Sequence, residues 1–148
     1  MDFNTTLSQL PFASARRIAL GINAPAERAL RQGHPWVFDQ SITEQSHTGV
    51  PGDLAVIFDD ARRFLAIGLY DPTSAIRVRI LQSRDPATIN TDWFQNKLTI
   101  ATRIRAGLEE KNTTGYRLVH GENDGLPGLV IDRYADTLVL KLYTPAWI

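Results

Sequence analysis

The sequence predicts a mainly β chain with some α: a small β-barrel followed by a helix and a three-stranded antiparallel meander. Three observations predict it. Between Val50 and Leu81 the chain alternates short apolar runs with tight turns, VPGD, DDARR and DPTS standing between LAVIF, FLAIGLY and IRVRIL. One longer stretch, Trp93 to about Gly107, carries apolar residues at steps of three and four. After it come three strand-like runs joined by a glycine-rich loop and an Ala-Asp turn. At 148 residues and 43% hydrophobic content the chain can hold one domain or two small ones.

Residues 1–16 are polar, mixed and without period, and are read as an N-terminal extension. Arg17–Leu20 is the first short strand. Asn23 can cap a helix that has Pro25 in its first turn and Gly33 as its stop after Gln32. Trp36–Phe38 is a strand. Phe64–Tyr70 is another, and Asp71–Ser74 turns into Ile76–Leu81. There Ile76, Val78 and Ile80 face one way and Arg77 and Arg79 the other. Residues 17–83 thus form the barrel and 84–91 a linker, the change of character setting in with SRDPATIN (Ser83–Asn90). Thr91 or Asp92 caps the second helix, with Phe94, Leu98, Ala101, Ile104 and Leu108 as its buried stripe. EEKNTTG is a polar loop, and Tyr116–Val119, Leu129–Tyr134 and Thr137–Tyr143 are the meander. The second unit, residues 92–148, lies near the lower size limit for independent folding and needs something to pack against. The sequence shows no internal repeat and no low-complexity segment.

Sixteen basic residues balance sixteen acidic ones, so no global basic field points to nucleic acid. The kind of cation is more informative. Thirteen are arginine and three lysine, and up to Asn90 every cation is arginine. Arginine makes forked hydrogen bonds to phosphate and stacks on bases. A genome rich in G and C would give the same bias. The absence of cysteine excludes disulfides, thiolate metal sites and cysteine nucleophiles within this chain. No apolar run approaches the roughly 20 residues of a membrane helix, and a cytoplasmic protein is expected.

Three places could carry chemistry. The loop HGENDGLPG (His120–Gly128) has glycines, but a strand follows them rather than a helix, so no helix N-terminus is there for an anion. Its acids Glu122 and Asp124 repel phosphate, and calcium-loop spacing is missing. A hairpin loop that uses glycine for positive φ and Pro127 for rigidity accounts for it. Second, Arg28, Arg31, His34 and Trp36 gather at one helix-to-strand corner, a mixture of cations and an aromatic that can hold phosphate and stack a base. Trp36 as a simple core residue stays open. Third, Arg77 and Arg79 lie near Tyr70 and Ser74, either as an RNA-facing patch or as ordinary surface charge. His34, His47 and His120 are isolated from one another, so no metal site is expected. No catalytic triad or carboxylate pair stands out.

Three stretches, RQGHPWVFDQSI (Arg31–Ile42), GLYDPTSAIRVRIL (Gly68–Leu81) and YRLVHGENDGLPGLVIDRYAD (Tyr116–Asp136), carry a likeness in order and spacing. The chain from about Arg17 to Leu142 resembles the front half of the bacterial 23S rRNA large-subunit methyltransferase I family. The resemblance implies a PUA-like RNA-binding barrel, the start of a central α/β domain, and a Rossmann-like methyltransferase domain that this chain lacks. It also implies S-adenosylmethionine as cofactor of the full-length protein, with none held by this chain, and 5-methylcytosine in 23S rRNA as the product. Such a piece is non-catalytic by itself and reads as a truncated fragment. Its arginines 28, 31, 77 and 79 would hold phosphates, with His34 and Trp36 at the corner where such barrels meet RNA. Glu122 and Asp124 would face the active-site cleft of the missing domain. The expected partners are rRNA and the missing catalytic domain. The alternative is an interaction module whose meander docks on a second copy, giving a homodimer, or on the catalytic domain.

Overall fold

The computed structural model describes residues 17–108 and 111–148. The predicted extension, residues 1–16, lies outside the described residues, as do Glu109 and Glu110 of the polar loop. Six strands form one curled sheet: β1 (Arg17–Ile22), β2 (Trp36–Phe38), β3 (Ile42–Gln45), β4 (Leu54–Phe58), β5 (Phe64–Tyr70) and β6 (Ile76–Ser83). Their order is β2-β6-β5-β4-β1-β3, a half-barrel with β2 and β3 at its edges. The β1–β4 pair is parallel and the others antiparallel. Strand β3 follows a single 3-10 turn, Asp39–Ser41, and the sequence reading did not include it.

Alternation sets the inside of the sheet. Ile18, Leu20 and Ile22 of β1 point inward with Ala55 and Ile57 of β4, Val37 and Val78. Helix α1 (Ala24–Arg31) closes one end and adds Leu30 to this core, a burial that contributes roughly 2 kcal/mol. Its start is set by Asn23, whose Oδ1 accepts from the Ala26 amide at 3.0 Å, with Pro25 in the first turn. Its end is set by Gly33 at φ +90, a conformation that costs a side chain dearly. Cap, proline and stop all stand where the sequence places them.

Helix α2 (Thr91–Ile104) packs on a second sheet of β7 (Gly115–His120), β8 (Leu129–Tyr134) and β9 (Thr137–Leu142), ordered β7-β8-β9. Two expectations need correction here. The cap of α2 is Asn90, whose Oδ1 accepts from Trp93 N at 2.9 Å, rather than Thr91 or Asp92. The expected buried stripe is only partly buried: Ala101 is, and Phe94 packs on the core, but Leu98 and Ile104 are exposed. The reason is that nothing among the described residues covers that side of the helix. The small core beneath α2 is Ala101, Val119, Leu126, Leu129 and Ile131, with Trp93, Phe94, Leu118 and Trp147 around it.

The two sheets meet along a seam. Leu69 of β5 and Leu81 of β6, on the outer face of the half-barrel, pack with Ala146, Ile89, Trp93, Phe94 and Trp147. Polar ties cross it as well. Thr144 donates to Asp71 Oδ2 at 2.7 Å, and the Trp36 indole N–H donates to Glu122 Oε1 at 2.8 Å. The outer face of β5 and β6 is therefore an internal surface of the molecule.

Candidate nucleic-acid interface

The corner between α1 and β2 is built by its backbone. The Gly33 amide donates to Leu30 O at 2.9 Å and the His34 amide to Ala29 O at 2.9 Å, so the chain leaves the helix in one fixed direction. That direction leaves the His34 ring exposed and edge-on to Trp36, centroids 5.9 Å apart. The Trp36 amide donates to His34 Nδ1 at 3.3 Å, which holds the imidazole in place. Trp36 itself is half-buried, and its indole N–H is committed to Glu122.

Charge collects on the α1 side of this corner. Arg31 pairs with Glu27 at 2.8 Å and with Asp59 at 3.1 Å. Asp59 is also held by Arg63, Nε to Oδ2 at 2.8 Å. The Arg63 amide, working against burial and aided by the Arg63 guanidinium and the Ala61 amide, keeps the Asp59 carboxyl below the usual aspartate range. Arg28 and Arg84 are both exposed, and no carboxylate among the described residues lies within ion-pair distance of either. Arg31 and Arg84 flank a hollow of about 190 Å³ whose apolar wall is Leu30, Phe64 and Leu65. Sequence order hides this neighbourhood, because Arg84 and Phe64 reach it through the β5–β6 pairing. A larger hollow, about 470 Å³ between β1, β3 and β4, is lined by Glu44, Asp59 and Asp60 against Arg62, the wrong sign for phosphate.

The other predicted residues are placed differently. Tyr70 is a core residue, 4% exposed, its hydroxyl donating to Gln45 Oε1 at 3.2 Å. Ser74 caps its own turn by accepting from Ile76 N at 3.1 Å. Arg77 is turned back along the chain: its Nη1 donates to the Pro72 and Asp71 carbonyls, and Asp39 lies 3.9 Å away. Arg79 does not face solvent as the alternation suggests. It is 8% exposed, sits in the seam 3.6 Å from Glu122, and its Nε has no hydrogen-bond partner among the described residues. The second unit covers the face that the strand pattern alone assigns to water.

The glycine-rich loop is a hairpin connection with one 3-10 turn, Gly121–Asp124, and Gly121, Gly125 and Gly128 all at positive φ. Its two acids are engaged within the protein. Asp124 takes a bidentate pair from Arg105, at 3.2 and 2.8 Å, and accepts from the His120 amide. Glu122 receives Trp36 and Arg79. Among the described residues no three His, Asp or Glu side chains gather as for a metal ion, and no helix is long and apolar enough to cross a membrane.

Comparison with known proteins gives this geometry a context. The family of PUA-like domains matches residues 20–83. The chain is 48% identical over 142 residues to a ribosomal RNA large subunit methyltransferase of Deinococcus radiodurans, covering 93% of this chain and 35% of that protein. It is 39% identical over 118 residues to a ribosomal RNA large subunit methyltransferase I of Photobacterium profundum, covering 78% of this chain and 30% of the relative. The chain therefore spans about a third of the length of the curated relatives it matches. Its fold is also that of part of a candidate SAM-dependent methyltransferase from Streptococcus mutans, with TM-score 0.72 at 22% identity over 86% of this chain and 33% of the other. A candidate methyltransferase complexed with SAH gives TM-score 0.71 at 21% identity, over 88% of this chain and 33% of the other. Residues 20–83 are thus similar to the family of PUA-like domains, within a sequence that over most of its length is similar to the N-terminal part of rRNA large-subunit methyltransferases.

Proposed function

We propose that this chain is the RNA-reading portion of a cytoplasmic, SAM-dependent rRNA (cytosine-C5) methyltransferase. It positions rRNA, with 23S rRNA as substrate, for a catalytic domain outside the matched third. Residues 17–83 are the reading domain, 84–91 a linker and 92–148 the beginning of a central domain. The observation that carries the reading is the α1 corner of the PUA-like domain. There Arg31 and Arg84 flank a small hollow walled by Phe64, and the same corner carries the exposed Arg28, three residues before Arg31 on α1, and the exposed His34 ring. Guanidinium groups hold phosphates and fix register, while a flat ring and a hollow accept an unstacked base. SAM would supply the methyl group when bound. The chain itself contributes binding and orientation, and with no cysteine it offers no thiolate to attack a pyrimidine.

Anisotropy titration with a 23S rRNA fragment at several salt concentrations tests the reading. The triple variant Arg28→Ala/Arg31→Ala/Arg84→Ala is expected to bind at least about tenfold more weakly, with the salt slope shallower by about 2. Arg77→Ala is expected to change little, because that guanidinium is turned back onto backbone carbonyls and its side chain is 20% exposed, whereas Arg31, though paired, keeps 49% of its side chain open. Unchanged affinity and slope in the triple variant would remove the corner from the interface. A second reading rests on β9, an edge strand whose six residues are all exposed. Such an edge can pair with another copy to give a homodimer. Sedimentation at two concentrations, with and without RNA, separates the two: an RNA-indifferent dimer supports the second.

A further inference from the structure

We propose that Glu122 is a positioning residue for RNA. From the second unit it holds the Trp36 indole of the half-barrel in the orientation that a base meets, so the RNA corner is completed by both units. This deepens the RNA-reading assignment and rests on it.

Three rings gather where the chain leaves α1 for the edge strand β2. His34, Trp36 and Phe38 are in mutual contact, with centroids 5.9, 6.2 and 6.4 Å apart, while Val37 between them points into the core. The indole meets His34 at 83° and Phe38 at 86°, so neither ring stacks flat on it. The torsion that turns an aromatic ring about its own bond is broad. The indole therefore needs a further anchor, and the hydrogen bond at Nε1 supplies it. That bond runs to Glu122 Oε1 at 2.8 Å, across 86 residues of chain. A carboxylate accepts more strongly than a neutral oxygen.

The anchor is itself fixed. Glu122 sits in the 3-10 turn Gly121–Asp124, where the Gly125 amide donates to its carbonyl at 3.1 Å. Asp124 ties the same turn to Arg105 and to the His120 amide. Arg79 is the cross-strand partner of Trp36, so both project to one face, and its Nη1 lies 3.6 Å from the same Oε1. One carboxylate of the second unit thus receives two side chains of the half-barrel. They differ in reach. Arg79 is 8% exposed in the seam, whereas Trp36 touches the exposed His34 ring. Glu122 acts on RNA through Trp36.

The sign of the effect separates this role from simple nearness. A carboxylate beside an RNA site repels phosphate, so its removal alone would strengthen binding. Removing a carboxylate that orients a reading ring weakens it.

The test is anisotropy titration of the chain with the 23S rRNA fragment. Glu122→Ala is expected to bind about fivefold more weakly with an unchanged salt slope, since no phosphate contact is lost. Glu122→Gln, which keeps an acceptor oxygen for the indole, is expected to stay within about twofold of wild type. In a Trp36→Phe background, where no indole N–H is left to hold, Glu122→Ala is expected to add nothing. Without RNA, the Trp36 indole N–H resonance, identified by its loss in Trp36→Phe, is expected to shift in Glu122→Ala and to keep its place in Glu122→Gln. Glu122→Gln and that resonance keep the proposal testable should Glu122→Ala fold poorly. The proposal alone is overturned if the triple arginine variant weakens while Glu122→Ala binds as tightly as wild type or more tightly. It is also overturned if Glu122→Gln binds no better than Glu122→Ala, or if the losses from Trp36→Phe and Glu122→Ala add. If the chain binds no rRNA fragment, or the triple arginine variant binds as wild type does, the RNA-reading assignment falls and this proposal with it.

Discussion

Asp124 and Glu122 lie two residues apart in one loop and do different work. Asp124 is almost fully buried and takes both nitrogens of Arg105 together with the His120 amide, so it ties the hairpin to the end of α2. Asp124→Ala would leave a largely buried guanidinium without its partner, and is expected to cost about 3 kcal/mol in chemical denaturation. Glu122→Ala also takes a partner from Trp36 and from buried Arg79, but the Arg79 contact is long, 3.6 Å, and Asp71 lies near that guanidinium as well, so a smaller cost is expected. The sequence shows both acids but not this division, because Arg105 stands nineteen residues away at a helix end. The same limit applies to the candidate interface. Arg28, Arg31 and His34 are legible from their closeness along the chain. Tyr70 and Arg79 are misread, since the decision between surface and seam depends on where a distant segment packs. Arg84 is missed for the converse reason: only the β5–β6 ladder carries it to Arg31.

Among the elements, β5 shows how strongly a strand can be fixed by what lies across from it. Gly68 stands in the middle of FLAIGLY, where a glycine normally weakens a strand. A Cβ there would run into the Arg79 carbonyl oxygen and, at 2.7 Å, Val78 Cγ1, next to the bulge between Ile67 and Gly68. Gly68→Ala is therefore expected to lower stability by about 2 kcal/mol, read from the shift of the denaturation midpoint. Most elements could be read from sequence because their signals are local: the Asn23 cap, the Gly33 stop, the turns VPGD and DPTS, and the alternation of β6. Strand β3 could not. Its burial pattern, with one half-buried residue and three exposed ones, carries no period to detect, and it exists because the Asp39–Ser41 turn delivers it to the edge of β1. The half-exposed stripe of α2 was equally illegible, since a helical period names an apolar face without naming its cover.

For the whole molecule, the seam decides whether the two sheets act as one body. Asp71 is its most constrained polar group. Burial pushes its carboxyl up, but the hydroxyls of Thr73 and Thr144 and the Thr73 amide, with Arg79 nearby, hold it below the usual aspartate value. A carboxyl lowered in the folded state contributes stability above its unfolded pKa and loses it as pH falls through the folded value. The melting temperature is therefore expected to drop below about pH 4. Asp59 and Asp132 are lowered too, so the share of Asp71 is the difference between wild type and Asp71→Asn, whose acid limb should be shallower. All three tryptophans of the protein stand at this seam: Trp36 on Glu122, and Trp93 and Trp147 in the apolar contact itself. Ultraviolet emission excited at the indole band thus reports the junction and little of either sheet's interior, so the molecule carries a native optical gauge of its own articulation.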